Sequence, residues 1–80
     1  MNVEDFISEI MEIVDYKPKD FAWVSNLYDC LEYLVEVGKI SNRVSNLVVS
    51  KIHAWENVEG FINSINSTEF KNNYNKLMED

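Results

Sequence analysis

The stretch that decides the fold runs from residue 21 to residue 38 and reads FAWVSNLYDCLEYLVEVG. Its apolar residues recur every three or four positions over four turns, which is the period of an amphipathic α-helix. The stretch predicts a helix that opens at Pro18 or Asp20 and ends before Gly38, which stands where a C-terminal cap is expected. Its apolar arc of about 200° predicts that this helix is the central and most buried one. The periodic positions are Phe21, Val24, Leu27, Tyr28, Leu31, Leu34 and Val35.

A first helix precedes this stretch. Asn2 is suited to be its N-cap, because an Asn side chain accepts a hydrogen bond from an N–H of the first turn. We expect the helix to end near Asp15, since Pro18 disfavours helical geometry at Lys17 and has no N–H to donate. Its apolar face consists of Val3, Phe6, Ile7, Ile10, Ile13 and Val14, with Met11 at the edge.

The second half of the chain continues the helical period. Ser41 is the expected N-cap of a third helix, and residues 42–66 form either one helix or two. Asn57 as a cap and the low helix propensity of Gly60 favour a kink or break between Glu56 and Gly60. A last helix is expected to start near Ser67 or Thr68. The predicted inward positions are Val44, Leu47, Val48, Ile52, Trp55, Val58, Phe61, Ile62, Ile65, Phe70, Tyr74, Leu77 and Met78.

Length and composition fix the fold class. Eighty residues are enough for one domain and too few for two. Cys30 is the only cysteine, which excludes an internal disulfide, and Cys30 with His53 cannot supply the four ligands of a zinc site. We therefore expect an all-α single domain over residues 1–80. It is a compact bundle of four short helices, or of five if residues 42–66 are broken, held by packing without a cofactor.

The N-terminus bears on the cellular compartment. Residues 1–5 read MNVED and lack the basic start and the apolar run of a signal peptide. No window approaches the ~20 apolar residues that a membrane span needs. We expect a cytoplasmic protein.

Charge is distributed unevenly along the chain. Residues 1–36 hold nine acidic side chains and two basic ones, whereas residues 37–80 hold five of each. The first half therefore accounts for the whole net charge of −7. A negative surface opposes direct binding to nucleic acid or to an anionic membrane, and it favours a basic protein partner.

The acids of the first two helices fall into lines. Asp5, Glu9 and Glu12 form one line at steps of four and three residues, and Asp29, Glu32 and Glu36 form the other. If the two helices lie side by side, the lines form a carboxylate array spaced about 6 Å apart, similar to phosphates along a nucleic-acid strand. This predicts a surface that imitates nucleic acid or complements a basic groove. A solvated face that keeps the protein soluble produces the same pattern.

Two aromatic residues accompany the acids. Tyr33 is predicted about 180° from the core side of the second helix and therefore exposed. Trp23 lies at the edge of the apolar arc, where a surface position and a core position both fit. Because Trp and Tyr are enriched in binding hot spots, both join the six acids as candidate partner-binding residues. An apolar flank of this helix also fits a homodimer seam.

The sequence offers few candidates for catalytic residues. Cys30 and His53 are the only candidate nucleophile and base, and their predicted helix faces disagree. No Glu precedes His53 by three residues, as a bundle metal site requires, and glycine-rich phosphate loops are absent. We therefore expect a protein that is not an enzyme.

The overall profile is small, acidic and helical, without a cofactor site and rich in Asn and Ile. It resembles, as a class and without residue correspondences, the inhibitors encoded by phages and mobile elements, including anti-restriction and anti-CRISPR proteins. That resemblance implies a cytoplasmic inhibitor or regulator that blocks a basic, nucleic-acid-binding surface of its target, such as a nuclease. Bacteriocin immunity proteins and antitoxins share the profile, so neutralisation of a toxin is an alternative. A homodimeric regulatory or structural subunit that acts through an apolar helix face is another.

Overall fold

Five α-helices make up the fold in a computed structural model that describes residues 1–14, 22–54 and 57–79. They are α1 (Val3–Val14), α2 (Ala22–Glu36), α3 (Asn42–Ala54), α4 (Val58–Ile65) and α5 (Thr68–Glu79). The Cα radius of gyration is 11.7 Å, close to the ~11.6 Å expected for a compact chain of this length. The predicted all-α bundle is confirmed, in its five-helix form.

The N-terminal caps lie where the sequence places them. The Asp5 N–H donates to the Asn2 side chain over 2.8 Å at the start of α1. The Val44 N–H donates to the Ser41 hydroxyl over 3.2 Å at the start of α3. Each cap satisfies a first-turn donor that has no partner within its own helix. The predicted end of the first helix and the Pro18 break fall at or beyond residue 15, outside the described residues.

The predicted break between the third and fourth helices is confirmed. Asn57 has an extended backbone, and its side chain accepts a 2.7 Å hydrogen bond from the Gly60 N–H, which starts α4 at Val58. The last helix is capped in the same manner, because the Ser67 hydroxyl accepts from the Phe70 N–H over 3.1 Å. Trp55, predicted to be in the core, is outside the described residues.

Two aromatic groups organise the interior. Phe6 of α1 lies 5.1 Å from Tyr74 and 6.4 Å from Phe70 of α5, measured between ring centroids. Trp23 of α2 lies 5.6 Å from Phe61 of α4. The Tyr74 hydroxyl also donates a 2.6 Å hydrogen bond to the carbonyl of Met1. These contacts join the first helix to the last and the second to the fourth.

The central position predicted for the second helix is wrong. Among the described residues, the backbone of α2 lies close to α1 and α3 only and reaches α4 through the Trp23 side chain, whereas the backbone of each other helix lies close to three neighbours. The apolar arc of α2 is wide because it includes residues that the fold leaves half-buried or exposed. The exposed one is Val37, and the half-buried ones are Val24, Tyr28, Cys30 and Val35.

The end of α2 depends on Gly38, as predicted. Gly38 has a φ of +78°, and after it the Lys39 N–H donates to the Leu34 carbonyl over 2.9 Å. The Gly38 N–H itself donates to the Val35 carbonyl over 3.0 Å. This arrangement is a Schellman-type cap, which needs a left-handed residue at that position.

We expect Gly38→Ala to lower the free energy of unfolding by about 1 kcal/mol, because an alanine is strained at positive φ. A Cβ at position 38 meets no atom within 4 Å, so the cost is one of backbone conformation and not of collision. Gly38→Asn is the matched control and should lose less, since Asn tolerates this conformation better. Urea unfolding followed by circular dichroism measures both. Equal losses for Ala and Asn would contradict this account.

Candidate protein-binding face

The acidic residues of the first half gather on two neighbouring helices. α1 and α2 pack against each other, so the predicted adjacency is confirmed. Together they carry seven acidic side chains and no Lys or Arg. All seven are exposed, namely Glu4, Asp5, Glu9, Glu12, Asp29, Glu32 and Glu36. We refer to this set, together with Tyr33, as the acidic face.

Among the described residues, the carboxylates of the acidic face have no basic partner. Within residues 1–14, 22–54 and 57–79, none of the seven forms an ion pair. An acid that has a nearby Lys or Arg is partly neutralised within its own protein. No basic side chain of the described residues offsets the charge of the acidic face.

The α1 line borders a shallow depression. Asp5, Glu9 and Glu12 line it together with Met1 and Ser8, and its volume is about 380 Å³. Of the five described residues that line it, three are acids and Met1 alone is apolar. This depression suits a cationic group more than an apolar one.

Two residues of the α1 line, Asp5 and Glu9, approach different neighbours. Burial raises the pKa of the Cys30 thiol on α2, and the negative charge of Glu9 raises it further. Burial likewise raises the pKa of Tyr74 on α5, with a smaller contribution from Asp5. Glu9 is therefore within electrostatic reach of α2, and Asp5 is within reach of α5.

The α2 line borders a second, larger concavity. Glu32 and Glu36 line an open groove of about 520 Å³ between α2 and α3, and Asp29 is not among its lining residues. The remaining lining residues are Tyr28, Leu31 and Val35 of α2 and Asn42 and Ser45 of α3. We call this concavity the α2–α3 groove.

The two acidic lines open onto separate features of the surface. The depression on α1 and the α2–α3 groove share none of their described lining residues. Glu32 and Glu36 border α3, whereas Glu9 is near the α1-facing flank of α2 that carries Cys30. The single continuous array of carboxylates stays a prediction. Each line borders a concavity of its own.

The acids of α2 lie at positions where they destabilise the helix. α2 has no acid in its first turn and no base in its last, and it ends on Glu36. A carboxylate near a helix C-terminus opposes the helix dipole by roughly 0.3–1 kcal/mol. Glu32 and Glu36 also repel each other at a spacing of four residues. Stability alone does not account for this arrangement.

The two candidate aromatic residues differ in exposure. Tyr33 is 58% exposed beside the acids, as predicted. Trp23 is only 6% exposed and packs against Phe61, so its prediction as a partner-binding residue is wrong. A residue at the edge of an apolar arc is buried when a neighbouring helix covers it. Phe61 of α4 covers Trp23 in this way.

Sequence reasoning missed several residues of this surface. Val37 is 48% exposed one turn beyond Tyr33, and the spacing of four residues could have indicated it. The groove positions Asn42 and Ser45 follow only from how α3 packs against α2, for which the sequence has no signal. Tyr28 and Val35 were assigned to the apolar arc but not to a groove.

Cys30 and His53 lie on different sides of α2. The Tyr28 hydroxyl is 3.2 Å from Nε2 of His53 on α3, so Tyr28 lies on the side of α2 that faces α3 and His53. Cys30 is about 200° from Tyr28 around the helix and is near Glu9. A raised thiol pKa is the opposite of what a nucleophilic cysteine needs. In the part of the chain that the structure describes, no group of three or more His, Cys, Asp or Glu is arranged to hold a metal ion.

Comparison with known protein families, curated proteins and solved structures finds no match to this chain. Among the described helices, none has the length and apolar character to cross a membrane.

We expect Glu36→Gln to raise the free energy of unfolding by a few tenths of a kcal/mol, because it removes a charge that opposes the dipole of α2. Glu59→Gln is the matched control. Glu59 lies in the first turn of α4, where a carboxylate is favourable, so the same change there should lower the free energy of unfolding. Urea titrations at low salt compare the two. A loss of stability in Glu36→Gln would contradict the proposed cost.

We expect Cys30 to react with iodoacetamide more slowly than an unstructured thiol at the same pH. Its raised pKa lowers the thiolate fraction at any given pH, and partial burial limits access. Glu9→Gln removes the charge that helps to raise this pKa and should speed the reaction. Ser8→Ala, on the neighbouring exposed position, should not. The pH dependence of the rate separates a change in pKa, which shifts the curve, from a change in access, which scales it.

Proposed function

We propose that this protein is a small acidic inhibitor or regulator that binds a basic surface of another protein through its acidic face. The target surface is one that otherwise binds nucleic acid, as in a nuclease or another nucleic-acid-binding enzyme. The proposal assigns the chain no catalytic role. Inhibitors of host defence encoded by phages and mobile elements are the class that this mode of action resembles.

One observation carries the proposal: two adjacent helices present seven exposed acids, with no basic residue on either helix. A face that served only for solubility would gain by mixing charges, since opposite charges on one helix stabilise it. Here the acids are unpaired among the described residues, and Glu36 stands at the unfavourable end of α2. A basic partner offsets this repulsion when it binds.

Recognition through complementary charge affects the association rate and its dependence on salt. Complementary charge speeds the encounter of two proteins, and salt screens the attraction over about 8–10 Å. Tyr33 supplies a large ring at the edge of the charged area, where it can be buried on binding. Association should therefore slow steeply with salt, whereas burial of Tyr33 slows dissociation.

A second candidate is a homodimeric regulatory subunit, and the exposure of Tyr33 and Val37 favours it. These are the exposed large apolar side chains among the described residues, and they lie one turn apart, Tyr33 in α2 and Val37 directly after its last residue. Sedimentation at several protein concentrations separates the candidates, because a dimer that is insensitive to salt favours the subunit. A toxin-neutralising protein is a special case of the first candidate, with the toxin as its basic partner.

We expect simultaneous Glu9→Lys and Glu32→Lys to abolish capture of the target from host extract at physiological salt. The matched control is simultaneous Glu59→Lys and Glu79→Lys, which makes the same change in net charge on α4 and α5. Wild type and control should retain the target, and both should lose it in high salt. Circular dichroism checks that each variant is folded.

A competition arm tests the imitation of nucleic acid. The captured target is challenged with a mixed-sequence duplex oligonucleotide, which should displace the wild-type protein if both occupy one basic surface. If the two double variants behave alike, the acidic face is not the binding surface. If the oligonucleotide fails to compete, the protein binds elsewhere on its target and imitation is the wrong mechanism.

A further inference from the structure

We propose that the α2–α3 groove receives an amphipathic α-helix of the partner, with basic residues at positions i and i+4 beside a row of apolar ones. This rests on the proposed function and specifies the part of the partner that is recognised. It divides the acidic face into a groove that binds a secondary-structure element and a depression on α1 that contributes charge.

The groove combines an apolar floor with a charged rim. Tyr28, Leu31 and Val35 follow one another at steps of three and four residues and form a row about 10 Å long on α2. Leu31 is buried and the other two are half-buried, so apolar surface is open to solvent at the base of the groove. Covering such a row is favourable in proportion to the apolar area removed from water.

The two edges of the groove differ in charge. Glu32 and Glu36 form the α2 edge, with side chains one helical turn apart, or about 6 Å. Asn42 and Ser45 form the α3 edge and are polar but uncharged. A ligand that fits has positive charge along one side only, next to its apolar row. This pattern belongs to an amphipathic helix with Lys or Arg at i and i+4.

An extended peptide fits less well. Strand addition requires unpaired backbone groups on an exposed sheet edge, and the groove walls are the helices α2 and α3, whose backbone groups are paired internally. A helix laid between α2 and α3 packs side chains against side chains. It gives α2 a third helix close to its backbone, as every other helix already has.

Charge also argues against a second copy of this chain in the groove. A two-fold interface places the same patch of both subunits together, so Glu32 and Glu36 of one copy would face the equivalent acids of the other. Like charges across an interface are strongly unfavourable. The partner must supply the positive charge.

The depression on α1 can be compared with the α2–α3 groove, because acids border both. It has three carboxylates but Met1 as its only apolar lining residue, so it has no row on which a helix could be seated. Charge alone would favour the α1 line as much as the α2 line. Only the α2 line has an apolar floor beside it.

The probe is a fluorescent Leu/Lys peptide, roughly 18 residues long so that it can form a helix in isolation. Its sequence places Leu on one face and Lys at i and i+4 beside it. A peptide of the same composition in scrambled order keeps the charge and removes the amphipathic face. Fluorescence anisotropy at physiological salt measures the dissociation constant of each for the full chain, and the amphipathic peptide should bind at least tenfold more tightly.

Three variants locate the site. Simultaneous Glu32→Gln and Glu36→Gln should weaken binding of the amphipathic peptide roughly fivefold, as expected for two exposed ion pairs. Simultaneous Glu59→Gln and Glu79→Gln makes the same change in net charge on α4 and α5, and should change binding less than twofold. Ser45→Phe fills the groove without altering charge and should weaken binding roughly tenfold. The glutamine variants keep the proposal testable if Ser45→Phe does not fold.

Backbone amide shifts of the labelled protein map the contact directly. Shifts on addition of peptide should cluster at Tyr28, Leu31, Val35, Asn42 and Ser45. Equal binding of the scrambled peptide, equal weakening by both glutamine pairs, or shifts centred on the α1 depression would each overturn the groove while leaving the charge-based function standing. Self-association of the free protein that Ser45→Phe abolishes would assign the groove to a second copy instead. The proposed function is tested separately, by whether simultaneous Glu9→Lys and Glu32→Lys abolishes capture of the target.

Discussion

The contact between Phe6 and the ring of Tyr74, together with Phe70, is the interaction on which the rest of the structure depends. The chain has one cysteine, and Cys30 is free, so no covalent cross-link within the chain holds its ends together. The cluster joins α1 to α5, and the hydrogen bond from Tyr74 to the Met1 carbonyl reinforces it. With the ends closed in this way, α3 and α4 complete the enclosure of the core.

The position of α2 follows from that closure. Because α1 and α5 meet through their aromatic residues, α2 is left beside α1 and α3 and turns a broad part of its surface outward. The outward part contains Tyr33 and the acidic line, and its α3 flank contains the groove. Trp23 is the exception, since it reaches inward to Phe61 and anchors the start of the helix. The candidate binding surface is thus a consequence of where the aromatic residues pair.

Local features could be predicted from the sequence, and the arrangement of helices could not. The caps at Asn2, Ser41, Asn57 and Gly38 were predictable because capping depends on one side chain or one backbone angle. The burial of Trp23 was not, because it depends on Phe61, almost forty residues later. The exposure of Tyr33 was, since it lies opposite the core whatever the neighbours are. The groove required knowing that α3 packs against α2.

The limited packing of α2 also bears on motion. Local opening of a folded protein requires the least free energy where the fewest buried contacts must be broken. The helix that contributes Glu32, Glu36 and Tyr33 is also the one whose backbone lies close to the fewest other helices. Its amide hydrogens should therefore exchange with solvent sooner than those of α3, which packs more extensively. A partner seated against it would slow that exchange, so binding and rigidity are coupled in the same helix.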